Sequence, residues 1–123
     1  MKKILIVDDQ VEVRELVQVT LEIGDYQILV AENGQQAIEI AQAEHPDIIL
    51  LDIMMPGSNI DGLQACRHLK EDPATADITI VMLSAKGQEN DIEAGRAAGA
   101  DDYFTKPFSP IALIEKVESV LDQ

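Results

Sequence analysis

Apolar positions along the chain follow two alternating rhythms. Short unbroken runs occur at Ile4-Leu5-Ile6-Val7, Ile28-Leu29-Val30-Ala31, Ile48-Ile49-Leu50-Leu51, Ile80-Val81-Met82-Leu83 and Tyr103-Phe104-Thr105, each the length of a buried strand. Between them the apolar residues recur at helical spacing. Val13, Leu16, Val17 and Leu21 predict a first helix over Val11 to Ile23, stopped by Gly24. Asn33-Gly34 opens a second helix carrying Ala37, Ile38 and Ala41, which His45-Pro46 closes. A third helix is expected near Asp61 to Lys70 and a small-residue helix near Glu89 to Ala98. Leu113, Ile114, Val117, Val120 and Leu121 mark the last helix, with Ser109 as its cap and Pro110 in its first turn. Alternation of strand and helix predicts an α/β fold of five βα units with a parallel sheet.

Parallel strands place their carboxyl ends along one edge, where open α/β sheets bind ligands. Asp8, Asp9, Asp52, Ser84 and Lys106 each stand just after, or at the end of, one of these runs. Three carboxylates brought together repel one another, so the site calls for a cation, and oxygen donors with room for water and phosphate suit Mg²⁺. Asp52, following a wholly apolar strand, is the expected nucleophile, since a carboxylate can take a phosphoryl group as an acyl phosphate. Asp8 and Asp9 would hold the metal, while the Lys106 ammonium and the Ser84 hydroxyl would bind phosphate oxygens.

The chain of 123 residues suits one domain, residues 1–123, and its hydrophobic content of 46% is enough to fill a core. With 23 acidic residues against nine basic ones, its formal charge of −14 opposes direct binding to nucleic acid or to an anionic membrane surface. A single cysteine, Cys66, and the lack of a leader or long apolar span point to the cytoplasm. Cys66 continues the spacing of Leu63 and Leu69 and reads as a core residue, whereas His45 and His68 read as solvated surface.

Six motifs carry a resemblance to a known family: Ile6-Val7-Asp8-Asp9, Leu51-Asp52-Ile53-Met54-Met55-Pro56, Asp61-Gly62, Leu83-Ser84-Ala85, Gly99-Ala100-Asp101-Asp102-Tyr103 and Lys106-Pro107-Phe108. Over essentially its whole length the chain resembles the receiver domain of bacterial two-component response regulators, chemotaxis regulators among them. The resemblance implies a doubly wound, flavodoxin-like three-layer sandwich with strand order 2-1-3-4-5 and phosphorylation of Asp52 by a histidine kinase or phosphotransfer protein. It implies Mg²⁺ held by Asp9, Asp52, the backbone carbonyl of Met54 and, through water, Asp8. Further implications are a cis bond before Pro107, Tyr103 as the switch aromatic, and Met54 and Lys86 as residues that tune dephosphorylation. The output domain or downstream protein would be reached through the face of the fourth helix, fifth strand and fifth helix, which also supports a phosphorylation-dependent homodimer in many members.

Two features depart from the family pattern. Gly57, Ser58, Asn59 and Ile60 separate Pro56 from Asp61-Gly62, two residues more than is usual, and Ile92 stands where that dimer face usually has Arg. Two other classes share this kind of fold. A small-molecule phosphatase would carry Asp at position 54, where Met54 stands, and a nucleotide or flavin binder would show a Gly-rich loop after the first strand. A signalling module, rather than an enzyme acting on a metabolite, is therefore the expected function, with a phosphorelay carrier as its alternative.

Overall fold

A computed structural model describes residues 1–22, 24–53, 55, 59–85, 89–106 and 109–121, with the side chains of Ser84, Ala85, Glu89, Asp91 and Lys106 outside that description. Five strands and five helices alternate: β1 Lys2–Val7, α1 Val11–Leu21, β2 Tyr26–Ala31, α2 Gly34–Glu44, β3 Ile48–Asp52, α3 Gly62–Glu71, β4 Thr79–Ala85, α4 Glu89–Ala97, β5 Asp102–Lys106 and α5 Pro110–Leu121. The strands form one parallel sheet in the order β2-β1-β3-β4-β5, which is the expected flavodoxin-like topology.

Successive side chains of a strand point to opposite faces, so each apolar run fills two cores. Leu5, Val7, Ile49, Leu51, Ile80 and Met82 meet Ala37, Ile38 and Ala41 of α2 and Ala65, Cys66 and Leu69 of α3. Ile4, Ile6, Ile48, Leu50, Val81 and Leu83 meet Val17 and Leu21 of α1 and Leu113 and Val117 of α5. All five residues of β3 are buried, as a central parallel strand covered on both sides requires. Cys66 is fully buried with its Sγ 3.6 Å from the Ala98 carbonyl, and burial pushes its thiol up to about 11, so it is a core residue as expected.

The α1 stripe differs from the sequence reading. Leu16 is 45% exposed, and Thr20 is buried in its place beside Val17 and Leu21. At 100° per residue, Leu16 lies about 65° to one side of the centre of the stripe formed by Val13, Val17 and Thr20, and the helix turns the shorter, hydroxyl-bearing Thr20 inward.

Local signals set the helix starts. Asn33 Oδ1 accepts from Gln36 N at 2.9 Å, and Ser109 Oγ accepts from Ala112 N at 3.1 Å, the cap expected for α5. Asp61 and Gln64 form a reciprocal capping box, with bonds of 2.8 and 2.9 Å.

Candidate functional site

β1 and β3 are neighbours in the sheet, with Val7 opposite Leu51, so the residues that follow them leave the same edge side by side. There Asp8, Asp9 and Asp52 each offer a carboxylate oxygen, and the three oxygens lie within 4.8 Å of one another. Asp8 and Asp52 are buried and Asp9 is exposed, so the cluster opens to solvent on the Asp9 side. An all-oxygen donor set of three negative groups fits a hard divalent cation that keeps several waters.

The backbone around Asp8 is held from several directions. Its N–H donates to the Ala31 carbonyl at 3.2 Å, its Oδ1 accepts from Gln10 N at 2.9 Å, and its carbonyl accepts from Arg14 Nη1 at 2.7 Å. Arg14 also reaches Glu32 at 3.6 Å, joining the loop after β1 to the loop after β2. No motif pointed to Arg14. A faint signal was present: it is the one basic residue of α1, placed in the first turns after the paired acids of a strongly acidic chain.

Asp52 is backed by glycine. Gly62, the first residue of α3, lies so close to the Asp52 carbonyl that a Cβ there would overlap it, and its N–H donates to Ile53 O at 3.3 Å. The longer loop that follows Pro56 leads into a similar contact. Ile60 lies over Gly34 at the start of α2, where a Cβ would overlap the Ile60 carbonyl.

β4 and β5 bring the remaining expected residues to the same edge by register. Asp52 pairs with Leu83, Ser84 pairs with Thr105 and Ala85 with Lys106, so the Ser84 and Lys106 backbones end adjacent strands beside Asp52. Met54, Lys86 and Pro107, expected as the carbonyl ligand, the dephosphorylation pair and the cis-proline, lie outside the described residues.

Tyr103, on β5 opposite Met82, is half-buried, and the Arg96 guanidinium of α4 stands 5.4 Å from its ring centre. A cavity of about 60 Å³ beside the ring is lined by Met82, Ile92, Gly95 and Arg96 among others. On the opposite, α5 side of β5, Asp102 and Lys116 pair within the chain at 3.0 Å. The histidines lie elsewhere. His68 is exposed on α3, and His45, half-exposed at the end of α2, is bonded to Asp77 at 2.9 Å. No helix among the described residues is long and apolar enough to cross a membrane.

Comparison with known proteins agrees with this geometry. The family model described as the response regulator receiver domain matches residues 4–118. The phosphate regulon transcriptional regulatory protein PhoB of Pseudomonas aeruginosa is 49% identical over 120 residues, 98% of this chain and 52% of that protein. The transcriptional regulatory protein ResD of Bacillus subtilis is 45% identical over 119 residues, 97% of this chain and 48% of that protein. The chain thus spans about half the length of these curated relatives. Among solved structures, the chemotaxis protein CheY4 of Vibrio cholerae superimposes with a TM-score of 0.89 at 29% identity, covering 98% of both chains. The receiver domain of NtrX from Brucella abortus does so with a TM-score of 0.89 at 30% identity, again over 98% of both. The chain belongs to the response regulator receiver domain family.

Proposed function

We propose that this chain is a phospho-accepting switch of a two-component pathway, in which Asp52 takes a phosphoryl group from a histidine kinase or phosphotransfer protein in the cytoplasm. An Asp52 carboxylate oxygen attacks the phosphorus of a phosphohistidine. The new P–O bond forms as the P–N bond breaks, and the imidazole leaves with the electron pair. One observation carries the reading: in a member of this family, the carboxylate oxygens of Asp8, Asp9 and Asp52 lie within 4.8 Å of one another at the carboxyl edge of the sheet.

Asp8, Asp9, Asp52 and the Met54 carbonyl are assigned to Mg²⁺, which when bound offsets the negative charge of the carboxylates and of the transferring oxygens. Lys106 gives its ammonium to a phosphate oxygen, and the Ser84 hydroxyl donates to another once the group is on Asp52. Met54 and Lys86, neither a good general base, leave the acyl phosphate to hydrolyse slowly. Readout passes to Tyr103, whose half-buried ring lies beside a small cavity. Turning an aromatic ring inward contributes about 1 to 3 kcal/mol, enough to shift a two-state equilibrium tenfold or more. The face of α4, β5 and α5 would then engage an output domain, a downstream protein or a second copy of the chain, and the Asp102–Lys116 pair is a contact such engagement would reorganise.

Acetyl phosphate with Mg²⁺ is expected to add one hydroxylamine-sensitive phosphoryl group, read by intact-mass spectrometry, and Asp52→Asn to prevent it. The same adduct on Asp52→Asn would move the nucleophile elsewhere. Beryllofluoride with Mg²⁺ is expected to shift backbone amides across roughly residues 84 to 120, and Tyr103→Ala to weaken that spread without stopping phosphorylation. Shifts confined to the acidic cluster would make the chain a phosphorelay carrier.

A further inference from the structure

Asp8, Asp9 and Asp52 are set by the strands that carry them only up to the last strand residue. Asp9 is one residue beyond Asp8 in a loop, and something must decide where its carboxylate points. The Asp8 carbonyl and the N and Cα of Asp9 belong to one rigid peptide plane, so holding that carbonyl fixes where the Asp9 Cα sits and leaves a single backbone rotation to set its side chain. Arg14 Nη1 holds it at 2.7 Å.

We infer that Arg14 is a positioning residue for the cation site, acting through the Asp8–Asp9 peptide to aim Asp9 at Asp52; the inference rests on the proposed metal-dependent function. Its side chain is only 14% exposed, and its second arm reaches Glu32 at 3.6 Å. Glu32 is tied in turn to α2, its N–H donating to Gln36 Oε1 at 2.9 Å. The loop after β1 is thereby braced against a helix on the other side of the sheet. A planar guanidinium can serve both partners at once, which a lysine ammonium on a flexible stem does less well.

Charge and geometry predict opposite signs here. A guanidinium near three carboxylates weakens cation binding by simple repulsion, so a residue acting as charge alone would, when removed, leave Mg²⁺ bound more tightly. A positioning residue gives the reverse, since losing a group that orients a metal ligand typically costs tenfold or more in affinity.

The test is titration of the ¹⁵N-labelled chain with MgCl₂ at constant ionic strength, following amide shifts, at a temperature where metal-free melting curves show each variant folded. Arg14→Met is expected to weaken Mg²⁺ roughly tenfold and Arg14→Lys by a smaller factor. Unchanged or tighter binding by Arg14→Met overturns the inference, and if that variant does not fold, unchanged affinity in Arg14→Lys overturns it equally. Asp9→Ala separates the two levels of argument. Should it bind Mg²⁺ as well as the unaltered chain does, the cation site itself is misassigned, whatever Arg14 does.

Discussion

The two edges of the sheet treat negative charge in opposite ways. At the amino edge, carboxylates meet positive or donating groups. Asp47 accepts from Lys3 N at 2.8 Å, Asp77 pairs with His45 at 2.9 Å, and Asp101 holds Lys70 at 2.8 Å while accepting from Ile80 N at 2.8 Å. At the carboxyl edge Asp8, Asp9 and Asp52 meet one another. The first edge sets each of these carboxylates against a positive or donating group, and the second gathers three carboxylates whose mutual repulsion a bound cation would reduce. Natural sequences concentrate such unfavourable arrangements at functional sites, so the contrast supports the proposed site without appeal to any motif.

The largest effect expected comes from the glycines that allow the carboxyl edge to assemble. At Gly62 a Cβ would overlap the Asp52 carbonyl, and at Gly34 it would overlap the Ile60 carbonyl, in both cases a backbone group that cannot swing aside as the end of a flexible side chain can. Gly62→Ala is expected to cost about 3 kcal/mol or more in urea denaturation, the upper range for overpacking, and to impair phosphorylation of whatever remains folded. Gly34→Ala is expected to cost less, because the carbonyl it would meet belongs to the partly exposed Ile60, whereas the Asp52 carbonyl belongs to the fully buried β3. A Gly62→Ala chain with unaltered stability and phosphorylation would show that the acidic cluster needs no such close approach.

Lys70 is the corresponding test of the amino edge. Its ammonium bonds the Ala76 and Ile78 carbonyls at 3.1 and 2.7 Å as well as Asp101, and its stem packs on Gly99, which has the positive φ of 101° that glycine adopts without strain. Lys70→Met keeps most of the stem but leaves a carboxylate and two carbonyls without their donor. Since Lys70 is 17% and Asp101 45% exposed, water recovers part of the loss, and about 2 kcal/mol is expected. Mg²⁺ binding should not change. A variant that loses the metal response instead would tie the two edges together.

How far this contrast was legible in the sequence differs from element to element. The strands were legible because central parallel strands are apolar on both faces, and the run Ile48 to Leu51 is buried throughout. Their polar ends were not. Lys3 pairs with Gln27 in β1 and β2 through the backbone, which a hydropathy pattern does not record. Asp8, Asp9 and Asp52 were legible because position relative to a strand end fixes which edge a residue reaches. Arg14, the Gly34–Ile60 contact and the His45–Asp77 pair depend on distances between separate loops, and nothing in local spacing encodes those.

A smaller effect, with a diagnostic sign, is expected from removing one charge of the cluster. Asp9→Asn relieves repulsion at an exposed position, so without divalent ions it should melt slightly above the unaltered chain, by no more than about 1 kcal/mol at the high effective dielectric of the surface. Added MgCl₂ should reverse the order, because binding to the folded state stabilises by RT ln(1 + [Mg²⁺]/Kd) and the variant has lost a ligand. Differential scanning calorimetry with and without Mg²⁺ gives both measurements. An Asp9→Asn chain less stable in both conditions would mean that the carboxylate is structural, and the contrast between the edges would weaken.

The smallest effect belongs to His45 and Asp77. The hydrogen bond to Asp77 raises His45 above its ordinary value of 6.5, and the same bond lowers Asp77 below its ordinary 3.8. A raised histidine contributes stability that is fully present below its unfolded pKa and is lost as pH rises through the folded value. A lowered aspartate contributes stability present above its unfolded pKa and lost as pH falls through its folded value. The contact therefore helps most between the two ordinary values and fades on either side. Following the His45 ring proton by NMR, the midpoint should lie above 6.5 in the unaltered chain and fall toward it in Asp77→Asn. Mg²⁺ should leave that midpoint in place, since the strand between the two edges spans on the order of 15 Å, well beyond the ~8 Å over which charge is felt at physiological ionic strength. A midpoint that moves on adding Mg²⁺ would show that the charge balance of one edge is felt at the other, and that the sheet transmits it.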